Sequence, residues 1–496
     1  MSNTAPPILR CTECHAEHSL DLSSPTCPKC GAPLLVEYDC DSIRGRLSRA
    51  DLGKRPLGVW KYSELLPPLK EDVIISLGEG GTHLHDCKRL AEELGVRRLL
   101  IKDETTNPTG SFIDRGMTVA ISRARALGYS GVLCGLSGNL GASLAAYAAK
   151  AGMNCTVYVP PTIDLGKLYQ MIAFGAEVRY AKDDGDLSKA SDMGLYTFRL
   201  EPIDPFHLQG EKTTGYEIVE QNGLRLPDRI IVPMGNGTLI SMIWMGILEF
   251  QEIGLLDEGS VRMTGVQASG TSPIVDLFTR LRTDTRTSRV LTEVPMDIGI
   301  KKPLLEALAI RSIKESGGTA VAVSGKEIID AMHLLAKREG IFAEPAAAST
   351  IAAVGRLVED GIIDKDEEVV CVITGTGLKD PVTARKMVRD LRNLEIMIRR
   401  KEERGLTTEL GLTKIRILHI LTGGESYGYS IWKQLSKNYG LAIQMPSIYQ
   451  HLNELQSLHL VQRTRVVKMV GRPERSYYSI TPRGRRILSS LKELMP

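Results

Sequence analysis

Between residues 41 and 395, short β-branched runs alternate with helix-like periodic segments, and this alternation constrains the fold more than any other feature. RRLLIKDE, GVLCGLSG, NCTVYVP, DRIIVPMGNG, RMTGVQASG and EEVVCVITGTG read as strands that lead into turns, most of them marked by glycine. GMTVAISRARALG, LGASLAAYAAKAG and KLYQMIAFGAE lie between them and read as helices with apolar faces. Buried strands alternating with helices predict an α/β body with a parallel sheet covered on both sides. Ligands of such sheets sit at the carboxyl ends of the strands, so the loops there are the place to look for a site.

The flanks differ in kind. Residues 1–40 hold Cys11-x2-Cys14 and, after 12 intervening residues, Cys27-x2-Cys30, each pair on a short turn. Four thiolates at this spacing predict a closed tetrahedral Zn2+ site in a structural ribbon, with no position left open for catalysis. A charged helical connector over 396–410 leads into residues 411–496, which carry 13 Lys plus Arg against 4 Asp plus Glu. That is +9 in a chain of net +3, so residues 1–410 carry −6, and a polyanion partner is expected for the C-terminal end alone. No stretch approaches the roughly 20 apolar residues of a membrane span. Cysteines spaced for metal ligation fit a reducing compartment, so the cytoplasm is expected.

Three loops at the expected sheet edge carry chemistry. Gly235-Asn236-Gly237-Thr238-Leu239 joins an apolar strand to an apolar helix, so its backbone amides at a positive helix end suit a phosphate, although such turns also serve tight packing. Ser137-Gly138-Asn139 and Thr374-Gly-Thr-Gly-Leu-Lys-Asp380 add small donors and an amide. Together with LGEGGT (77–82), KDETTNPTGSFIDRGM (102–117) and EPAAA (344–348), these motifs resemble, in order over residues 8–390, the threonine synthase family. That resemblance implies a two-lobed, fold type II (tryptophan synthase β-like) body at 41–395 that binds pyridoxal phosphate (PLP) and converts O-phosphohomoserine and water to threonine and phosphate. It implies cofactor contacts from Asn139, from Gly235 through Leu239, and from Thr374. It places Thr82, Ser111, Arg115 and Ser137 near a phosphorylated or amino-acid ligand.

One residue breaks the pattern. The family's Schiff-base lysine follows Gly-Ser-Phe, and here that position is Ile113. A sec-butyl group neither forms an imine nor moves a proton, so covalent attachment and general-base catalysis are lost together. Leu136 and Thr376 depart from the family pattern as well. Lys102, Lys167 and Lys379 are the amines near the motif loops that could substitute.

The basic module is similar to PadR-family winged helix-turn-helix proteins in its YGY, IYxxLxxLxxxxLV and GRPxRxYYxITPxGR patterns. The resemblance implies double-stranded DNA as partner. Ser447, Tyr449, Gln450 and Asn453 would face the major groove, and Arg463, Arg465, Lys468, Arg472 and Arg475 would meet phosphates. A homodimer is expected, because palindromic half-sites need paired recognition helices. The expected protein is a ligand-responsive transcription regulator with a silenced PLP fold; the alternative is an active threonine synthase with an appended regulatory domain.

Overall fold

The computed structural model describes residues 6–22, 24–135, 138–181, 196–283, 299–387, 410–440, 443–469 and 472–492. It divides into two units, Met1–Met387 and Val388–Pro496. The proposed connector at 396–410 lies almost wholly outside the described residues.

The first unit opens with β1 (Ile8–Cys11), β2 (Glu17–His18) and β3 (Leu34–Glu37), an antiparallel sheet in the order β2-β1-β3. Leu9, Leu34 and Val36 of this small sheet pack with Val59, Leu66, Val119 and Phe206, so the ribbon shares its apolar cluster with the body.

The body holds two sheets. One is built from β6 (Gly131–Gly135), β7 (Asn154–Val159), β8 (Glu177–Tyr180) and β9 (Thr197–Arg199), all parallel, in the order β8-β7-β6-β9. The other contains β4 (Leu84–Asp86), β5 (Arg98–Asp103), β10 (Arg229–Pro233), β11 (Arg262–Ala268), β12 (Thr319–Val323) and β13 (Glu368–Ile373). Its order is β12-β11-β10-β13-β5-β4, parallel except where β4 pairs with β5. All six expected strands and three expected helices form. The alternation of side chains across the larger sheet explains its unbroken apolar runs. Val370 and Val372 of β13 enter one core cluster with Leu100, Ile230 and Val232. Val369, Cys371 and Ile373 enter the opposite one with Leu99, Ile101 and Ile231.

One long helix missing from the sequence reading, Pro205–Gln221, crosses this body. Asp204 caps it by accepting from the amides of Phe206 and His207 at 3.0 and 2.9 Å, and Pro205 occupies the first turn where its missing N–H costs nothing. It meets the helix Ile113–Ala126 through two glycines. A Cβ on Gly210 would lie 1.8 Å from the Arg115 carbonyl oxygen, and one on Gly116 would lie 2.6 Å from the His207 ring.

The second unit contains the helices Leu412–Leu421, Gly428–Tyr439, Met445–Ser457 and Pro482–Lys492 with β14 (Ser426–Tyr427), β15 (Val461–Met469) and β16 (Arg472–Ile480), in the sheet order β14-β16-β15. The expected three helices and hairpin form. The short strand and the last helix are additions.

Candidate functional site

The loops converge on one cavity of about 970 Å³ at the carboxyl ends of β6, β10 and β13. Ile113, Asn139, Gly235 through Leu239, and Thr374 all line it, so every residue expected to hold the cofactor meets the position of the missing amine. Backbone pairing fixes this convergence. The Phe112 amide donates to the Thr374 carbonyl at 2.9 Å, and the Glu344 amide donates to the Gly375 carbonyl at 2.9 Å. The residue before Ile113, the end of β13 and the start of the helix Pro345–Glu359 are thereby tied together. Asp114 clamps the loop ahead of Ile113 by accepting from the Thr109 amide at 2.7 Å and from the Thr109 and Ser143 hydroxyls at 2.8 and 2.5 Å.

The turn Gly235–Leu239, the expected phosphate seat, is tightly constrained. Gly237 sits at φ 83°, and a Cβ there would come within 2.9 Å of the Ala309 Cβ, so only glycine is accommodated. No side chain caps the helix Thr238–Glu252, which leaves its first-turn amides directed at the cavity. Asn236 braces the turn from outside, its carbonyl accepting from the Leu305 amide at 2.9 Å. Asn139 is buried, and its amide donates to both Glu344 carboxylate oxygens at 3.2 and 3.3 Å.

Among the candidate substrate residues, Ser137 and its neighbour Leu136 lie outside the described residues. Ser111 is fully buried in a bridge to Gly375, and its hydroxyl accepts from the Ile113 amide at 3.5 Å. Arg115 and Thr82 are absent from the cavity lining and belong to a buried ionic network. Arg115 donates to Glu104 at 2.6 and 2.8 Å and to Glu217 at 2.8 Å, Lys102 reaches Glu217 at 2.7 Å, and the Thr82 hydroxyl donates to Glu104 at 2.8 Å. Helix geometry explains the divergence, since two residues of helix rotate a side chain by about 200°. Ile113 therefore faces the cavity while Arg115 points the other way.

The three candidate amines separate similarly. Lys102 is consumed by Glu217, Gln221 and the Thr82 carbonyl. Lys379 is buried and does not line the cavity, although Asp380 does. Lys167 does line it, 2% exposed, with its Nζ 2.9 Å from Asp164. Its stem lies over Gly138, where a Cβ would come within 2.4 Å of the Lys167 Cδ.

Among the lining residues not anticipated are His207 and Glu211, one turn apart on the Pro205–Gln221 helix. Their spacing marks one helix face, but nothing in the sequence alone directs that face toward the cavity. Burial drives the imidazole down to about 4 and the carboxyl up to about 8, so both are neutral near pH 7.

At the ribbon, the four cysteine sulfurs lie within 4.8 Å of one another, with Cys11–Cys30 at 3.4 Å and Cys14–Cys27 at 3.7 Å. A zinc with sulfurs at about 2.3 Å sets tetrahedral edges near 3.8 Å, so the set fits the ion. His18 Nε2 stands 3.4 Å from the Cys27 sulfur as an outer contact. Elemental analysis of the purified chain is expected to give one zinc. Cys27→Ser is expected to lower that content and the thermal midpoint together, because metal binding is folding energy in so small a module.

In the second unit, Ile448, Leu452 and Leu455 bury one face of the helix Met445–Ser457. Tyr449, Gln450 and Asn453 are exposed on the other side, and Ser447 is half-buried at its start. The Tyr449 ring covers Gly428, where a Cβ would lie 2.6 Å from it. On the wing, Arg463 is exposed, Arg465 stacks 4.5 Å over Tyr477 while pairing with Glu425 at 3.1 Å, and Arg475 stacks 4.8 Å over Tyr427. Lys468 and Arg472 lie on the strands, and their side chains are outside the described residues.

Comparison with known proteins agrees with this geometry. The model of the pyridoxal-phosphate dependent enzyme family matches residues 75–375, and that of the PadR-like transcriptional regulator family matches residues 417–490. Among solved structures, maize serine racemase aligns with a TM-score of 0.52 at 18% identity, covering 63% of this chain and 93% of that one. Escherichia coli diaminopropionate ammonia lyase aligns with a TM-score of 0.53 at 17% identity, covering 64% and 90%. At these identities the two share the fold alone, which is that of fold type II PLP enzymes. The chain therefore belongs to the pyridoxal-phosphate dependent enzyme family. The threonine synthase of Methanocaldococcus jannaschii is 45% identical over 382 residues, which are 76% of this chain and 94% of that protein. The threonine synthase of Halalkalibacterium halodurans is 37% identical over 334 residues, 65% of this chain and 90% of that protein. Within the family, this chain is a threonine synthase homologue with a PadR-like domain at its C-terminus.

Proposed function

We propose that this protein is a ligand-responsive transcription regulator whose threonine-synthase-like body binds a pyridine phosphate without covalent attachment and whose catalysis is impaired. The observation that carries the reading is Ile113, which lines the cavity beside an intact phosphate seat. When bound, a PLP-type cofactor draws electrons from the carbon beside an amine. The residues here supply its binding half: uncapped amides at Gly237 and Thr238, the hydroxyl of Thr374 and the amide of Asn139. They lack the amine at position 113 that would hold the cofactor's aldehyde and carry protons.

The C-terminal domain supplies the output. Charge of +9 over residues 411–496, an exposed face on the helix Met445–Ser457 and arginines on the wing suit double-stranded DNA. Ligand control requires unequal affinity of the ligand for the DNA-competent and DNA-incompetent states. A homodimer would pair the recognition helices on a palindromic site.

The deciding experiment combines a threonine-formation assay on O-phosphohomoserine with operator selection from random duplexes, with and without PLP. The reading expects no turnover and ligand-dependent DNA binding. Turnover with a borohydride-fixed lysine adduct would overturn it in favour of an active enzyme. Lys167, buried in the same cavity, is the residue that favours this second reading. On the DNA side, Arg463→Ala is expected to reduce the slope of log affinity against log salt by about 1 without changing sequence preference, as for a phosphate contact.

A further inference from the structure

The floor of the cavity contains a buried acid and base that the phosphate seat and ring contacts leave unused. His207 is 0% and Glu211 1% exposed, and both line the cavity with Ile113. Nδ1 of His207 is 3.4 Å from Oε1 of Glu211. By strict geometry neither imidazole nitrogen nor Oε2 of Glu211 has a hydrogen-bond partner among the described residues, with the Ile113 backbone the nearest acceptor for the imidazole and the Thr238 hydroxyl beside the carboxyl. Buried polar atoms left this way are costly unless a ligand satisfies them.

Their position is specific. The His207 ring lies against the first turn of the Ile113–Ala126 helix, where a Cβ on Gly116 would approach it to 2.6 Å. Glu211 stands beside Thr238 of the phosphate seat, whose hydroxyl opposes the upward push of burial on the carboxyl. The pair therefore spans the gap between residue 113 and the seat. In a pyridine phosphate the phosphate-bearing arm and the aldehyde- or amine-bearing arm are neighbours on the ring, so a ligand seated at Thr238 carries its second arm into this gap.

We propose that the cavity selects the amine form of the cofactor, a pyridoxamine-type phosphate, and that Glu211 and His207 hold its ammonium group in the space the lysine has vacated. This rests on the reading that the cavity takes a pyridine phosphate. An ammonium brings three donors, and the carboxylate oxygens and an imidazole nitrogen supply acceptors. The neutral imidazole accepts, because burial holds it in its uncharged form. A cation beside Glu211 stabilises the carboxylate that burial otherwise disfavours. Ile113 contributes by absence. A lysine there would place one ammonium against another, while an aldehyde finds no amine at 113 with which to react.

The test is calorimetric titration of the cofactor-free full chain at neutral pH with pyridoxamine phosphate, PLP and pyridoxine phosphate. Pyridoxine phosphate keeps the ring and phosphate but ends in a hydroxyl. Pyridoxamine phosphate is expected to bind on the order of tenfold tighter than pyridoxine phosphate, the scale of one charge-assisted hydrogen bond. Glu211→Gln is expected to abolish that preference by weakening pyridoxamine phosphate on the order of tenfold more than pyridoxine phosphate, with an unchanged circular dichroism spectrum checking that the variant folds. His207→Gln is expected to reduce the preference in part. Equal affinities in the unmodified chain, or equal weakening of all three ligands in Glu211→Gln, would overturn amine selection. If none of the three binds, the cofactor reading itself fails.

Discussion

Replacing Ile113 with lysine is expected to convert the protein into one that forms a borohydride-reducible adduct with PLP, with an absorbance band missing from the unmodified chain. The position permits this. Ile113 is half-buried at the first residue of its helix and lines the cavity, so a longer, unbranched side chain extends into open space and not into packed core. An amine there would lie in one cavity with the Glu211 carboxyl and the Thr238 helix start. Restoring a general base is worth about 10²- to 10⁴-fold in rate, so threonine formation from O-phosphohomoserine should rise by at least the lower figure. An adduct without turnover would mean that the body has lost more than its lysine, and residue 376, a threonine in the last glycine motif, would be the next to vary. An unmodified chain that already forms the adduct, with the band abolished by Lys167→Met, would show that a second lysine has taken over.

The second large effect is on stability. Arg115 is fully buried between Glu104 and Glu217, and Lys102 is the other cation of the network. Burial opposes charge on Glu217, but Arg115 and Lys102 overcome it and hold the carboxyl well below its ordinary range. Arg115→Ala strands two carboxylates beside one lysine and is expected to cost about 3–5 kcal/mol, read as a lower urea midpoint. Because the folded value is depressed, the network's contribution is fully present above the unfolded carboxylate value of about 4.3 and is lost progressively as pH falls below that toward and through the depressed folded value. The variant should therefore show a flatter loss of stability in acid than the unmodified chain. A substrate role for Arg115 predicts the reverse: weaker ligand affinity at unchanged stability.

The contrast between Ile113 and Arg115 shows how far the sequence reaches. Both sit in the motif KDETTNPTGSFIDRGM, and the family resemblance implied that both stand at the ligand. The sheet, its covered faces and the strand-end loops were legible because apolar period and glycine turns are local signals, and β5, β6, β7, β10, β11 and β13 form where those signals lie. The Cys11, Cys14, Cys27, Cys30 set was legible for a similar reason, since ligand spacing on two short turns constrains geometry directly. The identity of residue 113 was legible as a loss of chemistry, since no fold can give a hydrocarbon side chain a transferable proton.

Which way a side chain points, and what stands opposite it, was decided by tertiary structure. Two residues of helix separate the cavity from the buried network, so Arg115 joins Glu104 and Glu217, not the ligand site. His207 and Glu211 carry no motif; they reach the cavity because Gly116 and Gly210 let two helices cross at near backbone contact. Sequence thus determined the elements and the missing amine, whose causes act over a few residues. The pairing of Arg115 and Lys102 with Glu217 was set by packing between segments about a hundred residues apart, which no local pattern encodes.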